Sequence, residues 1–225
     1  GGGDVAGRVD LGGRRIIKKK TEDTLLAKLT ADNLGVPLIE SGLVGEGGGI
    51  DVDGAGTVLA AASSWVNDNR NKGKSRDQIE SALLQLLGAD RMIWIEGLAG
   101  EDITDGHIDT LARFIDPRTI VVDIPAVDDP DDPWVEVSTQ TRDRIRNART
   151  VDRKPYEIVE LVPTTSPRGE GRDFLATYMN YYVCNGAVIA PQFGDVAADA
   201  AARDVLAEHF PGREVVMLDI DAVAT

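Results

Sequence analysis

Along most of the chain, stretches with a strand-like apolar pattern alternate with stretches of helical period, and they do so in a repeating order. The first clear segment is helical. Thr21 is placed to cap it, Leu25, Leu26 and Leu29 form its apolar face, and Gly35 and Pro37 stop it. A short strand is expected near Val36–Glu40. Next, a strand at Gly49–Val52 turns at Asp53-Gly54 and returns through Thr57–Ala61, since Asp-Gly between apolar runs signals a hairpin. The capping box Ser75-Arg76-Asp77-Gln78 opens a helix with Ile79, Leu83, Leu86 and Leu87 on one face, Gly88 ends it, and Met92–Ile95 is a strand.

The same order recurs twice. A strand at Ile108–Ile115 turns at Asp116-Pro117 and returns at Thr119–Ile124. An acidic, proline-rich loop at Asp128–Pro133 leads to a helix over Trp134–Ala148 and a strand at Tyr156–Val162. Finally, Tyr178–Cys184 turns at Asn185-Gly186 into Ala187–Pro191, a helix covers Ala197–Phe210, Pro211-Gly212 breaks it, and Glu214–Leu218 closes the unit. Strand–strand–helix–strand, three times over, is the pattern of a repeat or propeller architecture. The leading helix–strand reads as the tail of a further unit. The competing reading is an ordinary α+β domain with accidental periodicity. The glycine-rich first 15 residues carry no periodic signal.

Composition narrows the functional classes. The formal net charge of −14 argues against a nucleic-acid partner, which needs a basic footprint, and it suits a small cationic ligand. An acidic surface also serves plain solubility. No apolar run approaches the roughly 18 residues of a membrane span, and no secretory signal is visible at the start. The single cysteine, Cys184, allows no intrachain disulfide and fits a cytoplasmic location. In its apolar strand it reads as a small buried hydrophobe rather than a nucleophile.

Each unit's first strand is approached through glycine-rich or polar sequence: Glu46-Gly47-Gly48-Gly49, Thr104-Asp105-Gly106-His107-Ile108-Asp109, and Tyr178-Met179-Asn180-Tyr181-Tyr182. If the units surround an axis, the three segments converge on one cavity. His107 and Asp109, two apart on a strand, would share a face, the histidine able to shuttle protons and the carboxylate to tune it or hold a cation. A solvated ion pair at a polar strand start is the alternative. A metal site is poorly supported by two histidines with no third ligand pattern. Glu46 before three glycines could accept paired hydrogen bonds from a planar guanidinium, or could be an exposed residue of a flexible loop. No P-loop or dinucleotide-binding pattern accompanies the glycines. Arg70, in Asn69-Arg70-Asn71, could anchor a carboxylate or lock its loop, the structural role coming first.

These motifs, with Phe193-Gly194-Asp195 and Phe210-Pro211-Gly212-Arg213, occur in one order from about Gly45 to Leu218. In that combination the chain resembles the agmatine deiminase and bacterial peptidylarginine deiminase family. The resemblance implies the pentein fold, an α/β propeller of five ββαβ-type units, of which about three and a half would be present here. Residues 1–225 would form a single, partial catalytic domain. It implies deimination of a guanidinium substrate, agmatine or arginine in peptides, through a cysteine thiouronium intermediate, without metal or organic cofactor. Glu46 and Asp109 would then hold the guanidinium, His107 would be the acid–base, and Asn180 a wall of the pocket. The family's nucleophile follows a Gly-Gly-x-x-His-Cys segment soon after the last unit's closing strand. This chain stops at Ala222-Val223-Ala224-Thr225, and the family's first guanidinium-binding aspartate also has no counterpart. A fragment, missing ends or an inactive relative would each explain this, with loss of both ends favoured. A non-catalytic binder of cationic ligands is the reading from a different class. An open propeller would expose strand edges and apolar surface, which favours association, as in a homo-oligomer, or instability.

Overall fold

The computed structural model describes residues 16–127, 129–169, 171 and 174–222, with side chains from residue 25 onward. The chain divides into two compact units, Gly1–Gly42 and Leu43–Thr225. In the first, helix α1 spans Ile16–Leu34, so Thr21 lies inside the helix and does not cap it. The helix-favouring lysines 18–20 let it begin earlier than the cap signal suggested. Leu25, Leu26 and Leu29 are exposed. The helix closes on Gly35, at φ 66°, with Val36 N donating to Ala31 O at 3.0 Å and Gly35 N to Asp32 O at 3.3 Å. No strand forms over residues 36–40. Val36, the expected strand start, has its N–H committed to the helix end.

The second unit holds three three-stranded sheets of one topology. In the first, β1 (Ile50–Val52) pairs antiparallel with β2 (Thr57–Ala61), and β2 pairs parallel with β3 (Arg91–Ile95). In the second, β4 (Ala112–Asp116), β5 (Thr119–Asp123) and β6 (Glu157–Leu161) repeat this, as do β7 (Tyr182–Cys184), β8 (Ala187–Gln192) and β9 (Glu214–Asp219) in the third. Each parallel step crosses over a helix: α3 (Arg76–Leu87), α4 (Pro133–Asn147) and α5 (Val196–His209). A short helical turn, α2 (Ala62–Trp65), follows β2 and is not marked by any periodic signal.

Local chemistry accounts for these boundaries. Asp53 Oδ1 accepts from Ala55 N at 2.7 Å and Thr57 N at 2.8 Å, which closes the first hairpin around Gly54. The capping box at Ser75 is formed, and α3 ends on Gly88 in the left-handed region. Asp132 caps α4 ahead of Pro133, and Asp195 caps α5. Of the predicted α3 face, Ile79 and Leu83 are buried, while Leu86 and Leu87 lie on its exposed edge.

Every residue of β2 and of β5 is buried, because consecutive units pack against one another. One core joins Leu59, Ile93 and Ile95 of the first sheet to Ile120, Val122 and Ile145 of the next unit. A second joins Val121, Val159 and Leu161 to Val188, Phe193 and Leu206. Strands covered on both faces read as continuous apolar runs, as these do.

Two expected strands begin late, and both delays shape the site. In place of a strand from Ile108, a 3-10 turn occupies Ile108–Thr110 and β4 starts at Ala112. Thr110 Oγ1 donates to His107 O at 2.8 Å and Leu111 N to Ile108 O at 3.0 Å, so the backbone is satisfied locally. In place of a strand from Tyr178, β7 starts at Tyr182. The carbonyls of Met179 and Tyr181 both accept from Arg113 Nη1 instead of a neighbouring strand.

Candidate functional site

The three segments leading to β1, β4 and β7 meet at one place, as the repeat reading anticipated. A cavity of about 290 Å³ is lined by Gly47, Gly48, Asp51, Asp109, Arg113 and Asn180, among others. Glu46 and His107 stand next to it along the chain and through Gly48. A Cβ built on Gly48 would sit 2.5 Å from His107 Nδ1 and 2.6 Å from Asp109 Oδ2. Only a glycine allows both side chains to close over this backbone. His107 and Asp109 thus converge, but from a 3-10 turn rather than from one face of a strand.

Glu46 precedes the 3-10 turn Gly47–Gly49, and Gly49 N donates to its carbonyl at 3.0 Å. Its Oε2 lies 3.0 Å from His107 Nε2 and accepts from Arg70 Nε at 2.8 Å. These bonds, that to His107 foremost and then that to Arg70, hold the Glu46 carboxyl below its ordinary value against the opposing effect of burial.

Arg70 is the lock of the site. Its side chain is 5% exposed and also gives Nη1 to Asp105 Oδ2 at 2.8 Å and Nη2 to Thr104 O at 2.9 Å. It ties the loop after α2 to both the Glu46 segment and the segment that delivers His107. The latter is rigid in its own right. Asp102 Oδ1 accepts from Thr104 N at 2.7 Å, Thr104 Oγ1 at 2.8 Å and Gly106 N at 3.1 Å. Asp105 holds φ 60° and Gly106 φ 78°, where a Cβ on Gly106 would stand 2.8 Å from Leu98 O.

Asp109 and Asp51 are the carboxylates of the cavity itself. Burial pushes both up; His107 and then Arg113 oppose this at Asp109, while the Phe114 amide and then Arg113 oppose it at Asp51. Asp51 Oδ2 accepts from Phe114 N at 2.7 Å, a bond from the first unit's β1 to the second unit's β4. Arg113 lies over the Tyr181 ring, 4.2 Å from its centroid. Neither Asp51 nor Arg113 was singled out from the sequence. The alternation of Ile50, Asp51 and Val52 on a short strand was the signal that could have found the first. Asn180 is exposed on the cavity wall.

Cys184 lies in β7, half-buried, its Sγ 3.5 Å from Ala187 O, and is not among the residues lining the cavity. Among the described residues, no group of three or more His, Cys, Asp or Glu side chains is placed to hold a metal ion. No described helix is long and apolar enough to cross a membrane.

Half-buried carboxylates from two repeat units, a histidine bonded to a glutamate, and a glycine floor come together at one cavity. The model of the Porphyromonas-type peptidyl-arginine deiminase family matches residues 13–225, and the chain belongs to that family. It is 34% identical over 216 residues to the agmatine deiminase of Medicago truncatula, across 88% of this chain and 57% of that protein. To the agmatine deiminase of Pseudomonas putida it is 34% identical over 196 residues, across 79% of this chain and 52% of that protein. Among solved structures, the agmatine deiminase of Enterococcus faecalis superposes with TM-score 0.82 at 25% identity, covering 91% of this chain and 60% of that one. The family match reaches further back than the motifs, which begin at Gly45. The chain spans between half and three fifths of the length of these relatives.

Proposed function

We propose that this chain is part of a guanidine-modifying hydrolase that deiminates agmatine to N-carbamoylputrescine and ammonia. Glu46 and Asp109 hold the planar guanidinium by charge-assisted hydrogen bonds. In the whole protein a cysteine thiolate attacks the central guanidinium carbon. Ammonia departs with a proton from His107, and a thiouronium remains. His107 then takes a proton from water, the water oxygen adds to the carbon, and the thiolate leaves. Asn180 forms a wall of the pocket. Because Cys184 lies away from the cavity, these 225 residues alone should be catalytically silent.

The observation that carries the reading is the contact of Glu46 Oε2 with His107 Nε2 at 3.0 Å, beside Asp109 on the same glycine. It gives a carboxylate pair and a proton-transfer group around one point. The relatives named agmatine deiminase favour that substrate. Within this reading the three sheets are units of a five-unit pentein propeller, the chain is one partial catalytic domain, the location is cytoplasmic, and exposed strand edges favour homo-oligomers. The family's own name favours peptidylarginine as the alternative substrate.

The test is to incubate the whole protein with agmatine and measure ammonia and the carbamoyl product. His107→Ala should abolish turnover, and Asp109→Asn should lower it by about 10²-fold or more. Ordinary rates in both variants would remove the site assignment. Failure with agmatine, arginine and peptidylarginine alike would sink the catalytic reading and leave a cation-binding protein.

A further inference from the structure

A larger cavity, of about 540 Å³, lies between the second unit and the chain that leads to the third. It shares no lining residue with the candidate site, although the two abut: Asp109 lines one, and Thr110 and Leu111 line the other. Its walls are mainly apolar, with Leu111, Val127, Trp134 and Phe174 among them. At Asp123, the last residue of β5, this apolar surface meets a carboxylate that is only 8% exposed. Thr177 Oγ1 donates to Asp123 Oδ2 at 2.5 Å, and among the described residues Oδ1 has no donor. The other ionisable groups of the lining, Asp129 and Asp132, are also acidic. Among the described residues, no lysine, arginine or histidine lines it.

Oδ1 is not enclosed by protein: it opens onto the cavity, where a donor on a ligand can reach it. A cavity of this size, with two aromatic walls and polar groups that include three carboxylates, has the form of a small-molecule site. We propose that it binds a small organic ammonium ion, whose N–H groups donate to Asp123 Oδ1 while its apolar body rests against Trp134 and Phe174. The acidic lining and the aromatic faces both favour a cation over an anion or a neutral body. This site is independent of the deimination reading, since it uses none of the residues assigned there.

Burial pushes the Asp123 carboxyl up to about 7, with the Thr177 bond opposing it. Only the ionised form pairs fully with an ammonium ion, so binding should strengthen as pH rises through neutrality.

The test is calorimetric titration of the whole protein with phenethylammonium chloride. One saturable site is expected at pH 8, weakened several-fold at pH 6. Asp123→Asn should weaken it by about thirtyfold or more, as loss of one partner of a buried charge pair does. Ala126→Trp, which fills the cavity from its wall, should abolish it as well. Asp109→Asn should leave it unchanged. Absence of a saturable site in the wild type, full affinity in Ala126→Trp or in folded Asp123→Asn, or loss of binding in Asp109→Asn would overturn the proposal.

Discussion

Replacing Arg70 with alanine should damage both stability and site geometry, and the size of the first effect follows from the contacts. The guanidinium is 5% exposed and donates to Glu46, Asp105 and Thr104 O at 2.8, 2.8 and 2.9 Å. Hydrogen bonds to charged groups each contribute roughly 1.5–3 kcal/mol, but they do not simply add. Glu46 is 45% exposed, so water can replace most of what it loses. Asp105 is 14% exposed and would be left as a largely buried charge with no cation, keeping only the bonds from Gly100 N and Asn69 Nδ2. Removing one partner from such a pair costs about 3–5 kcal/mol, and the partial exposure of these carboxylates puts the expectation near 3 kcal/mol. Arg70→Lys keeps the charge without the planar fork that spans two segments, and should recover less than half of the loss. Equilibrium urea unfolding of the whole protein measures both. An Arg70→Ala midpoint corresponding to less than about 1 kcal/mol, or an Arg70→Lys variant equal to wild type, would refute the argument.

The remaining expectations are shorter. Asp123 has a folded-state value raised by burial to about 7, so its protonated form is favoured in the folded state and stability is lost as pH rises through that value. Asp123→Asn should therefore be more stable than wild type at pH 8, by about 2–4 kcal/mol from a shift of about three units, with the difference vanishing near pH 4. Paired thermal or urea unfolding at the two pH values checks this. Gly48→Ala would put a Cβ 2.5 Å from His107 Nδ1 and 2.6 Å from Asp109 Oδ2. Misplacement on that scale should lower kcat/KM for agmatine about 10²-fold while the fold survives, as far-UV circular dichroism would report.

Much of the fold was legible because its signals are local. Asp53-Gly54 and Asn185-Gly186 do turn their hairpins, and Ser75 with Gln78 does form the capping box. The repeat order held in all three sheets because each crossover helix separates two apolar runs. The errors fall where a distant residue decides the local backbone. Arg113 takes the carbonyls of Met179 and Tyr181, which delays β7, and nothing in residues 178–181 announces an arginine 66 positions away. The 3-10 turn at Ile108 comes from Thr110 bonding back to His107, a choice that an extended backbone would also have satisfied. Glu46, His107 and Asp109 could be picked out through motif spacing. Asp51 was within reach only through the Ile50-Asp51-Val52 alternation, since its bond to Phe114 N spans 63 residues. The Phe193-Gly194-Asp195 motif proved to be helix capping: Asp195 caps α5, and Gly194 N donates to Asp199 Oδ2 at 3.0 Å.

The charge state of the cavity leads to one more expectation. Arg70 is spent on Glu46, Asp105 and Thr104 O. Arg113 is spent on two carbonyls and the Tyr181 ring. Asp51 and Asp109 consequently face the cavity with their carboxyls raised by burial, the nearby cations offsetting only part of that cost. A cation entering would supply the missing compensation and pull both carboxyls down. Binding must then release protons at pH values between the bound and free titrations, and affinity must rise with pH across that range. Guanidinium chloride at millimolar concentration, titrated into the whole protein in buffers of different ionisation enthalpy, reads the proton release directly. Urea has the same planar shape without the charge and should show neither the release nor the pH dependence. Guanidinium affinity that is flat between pH 4 and pH 7, or urea binding as tightly, would mean that these two carboxylates are structural bonds between units and not the charge that draws a substrate in.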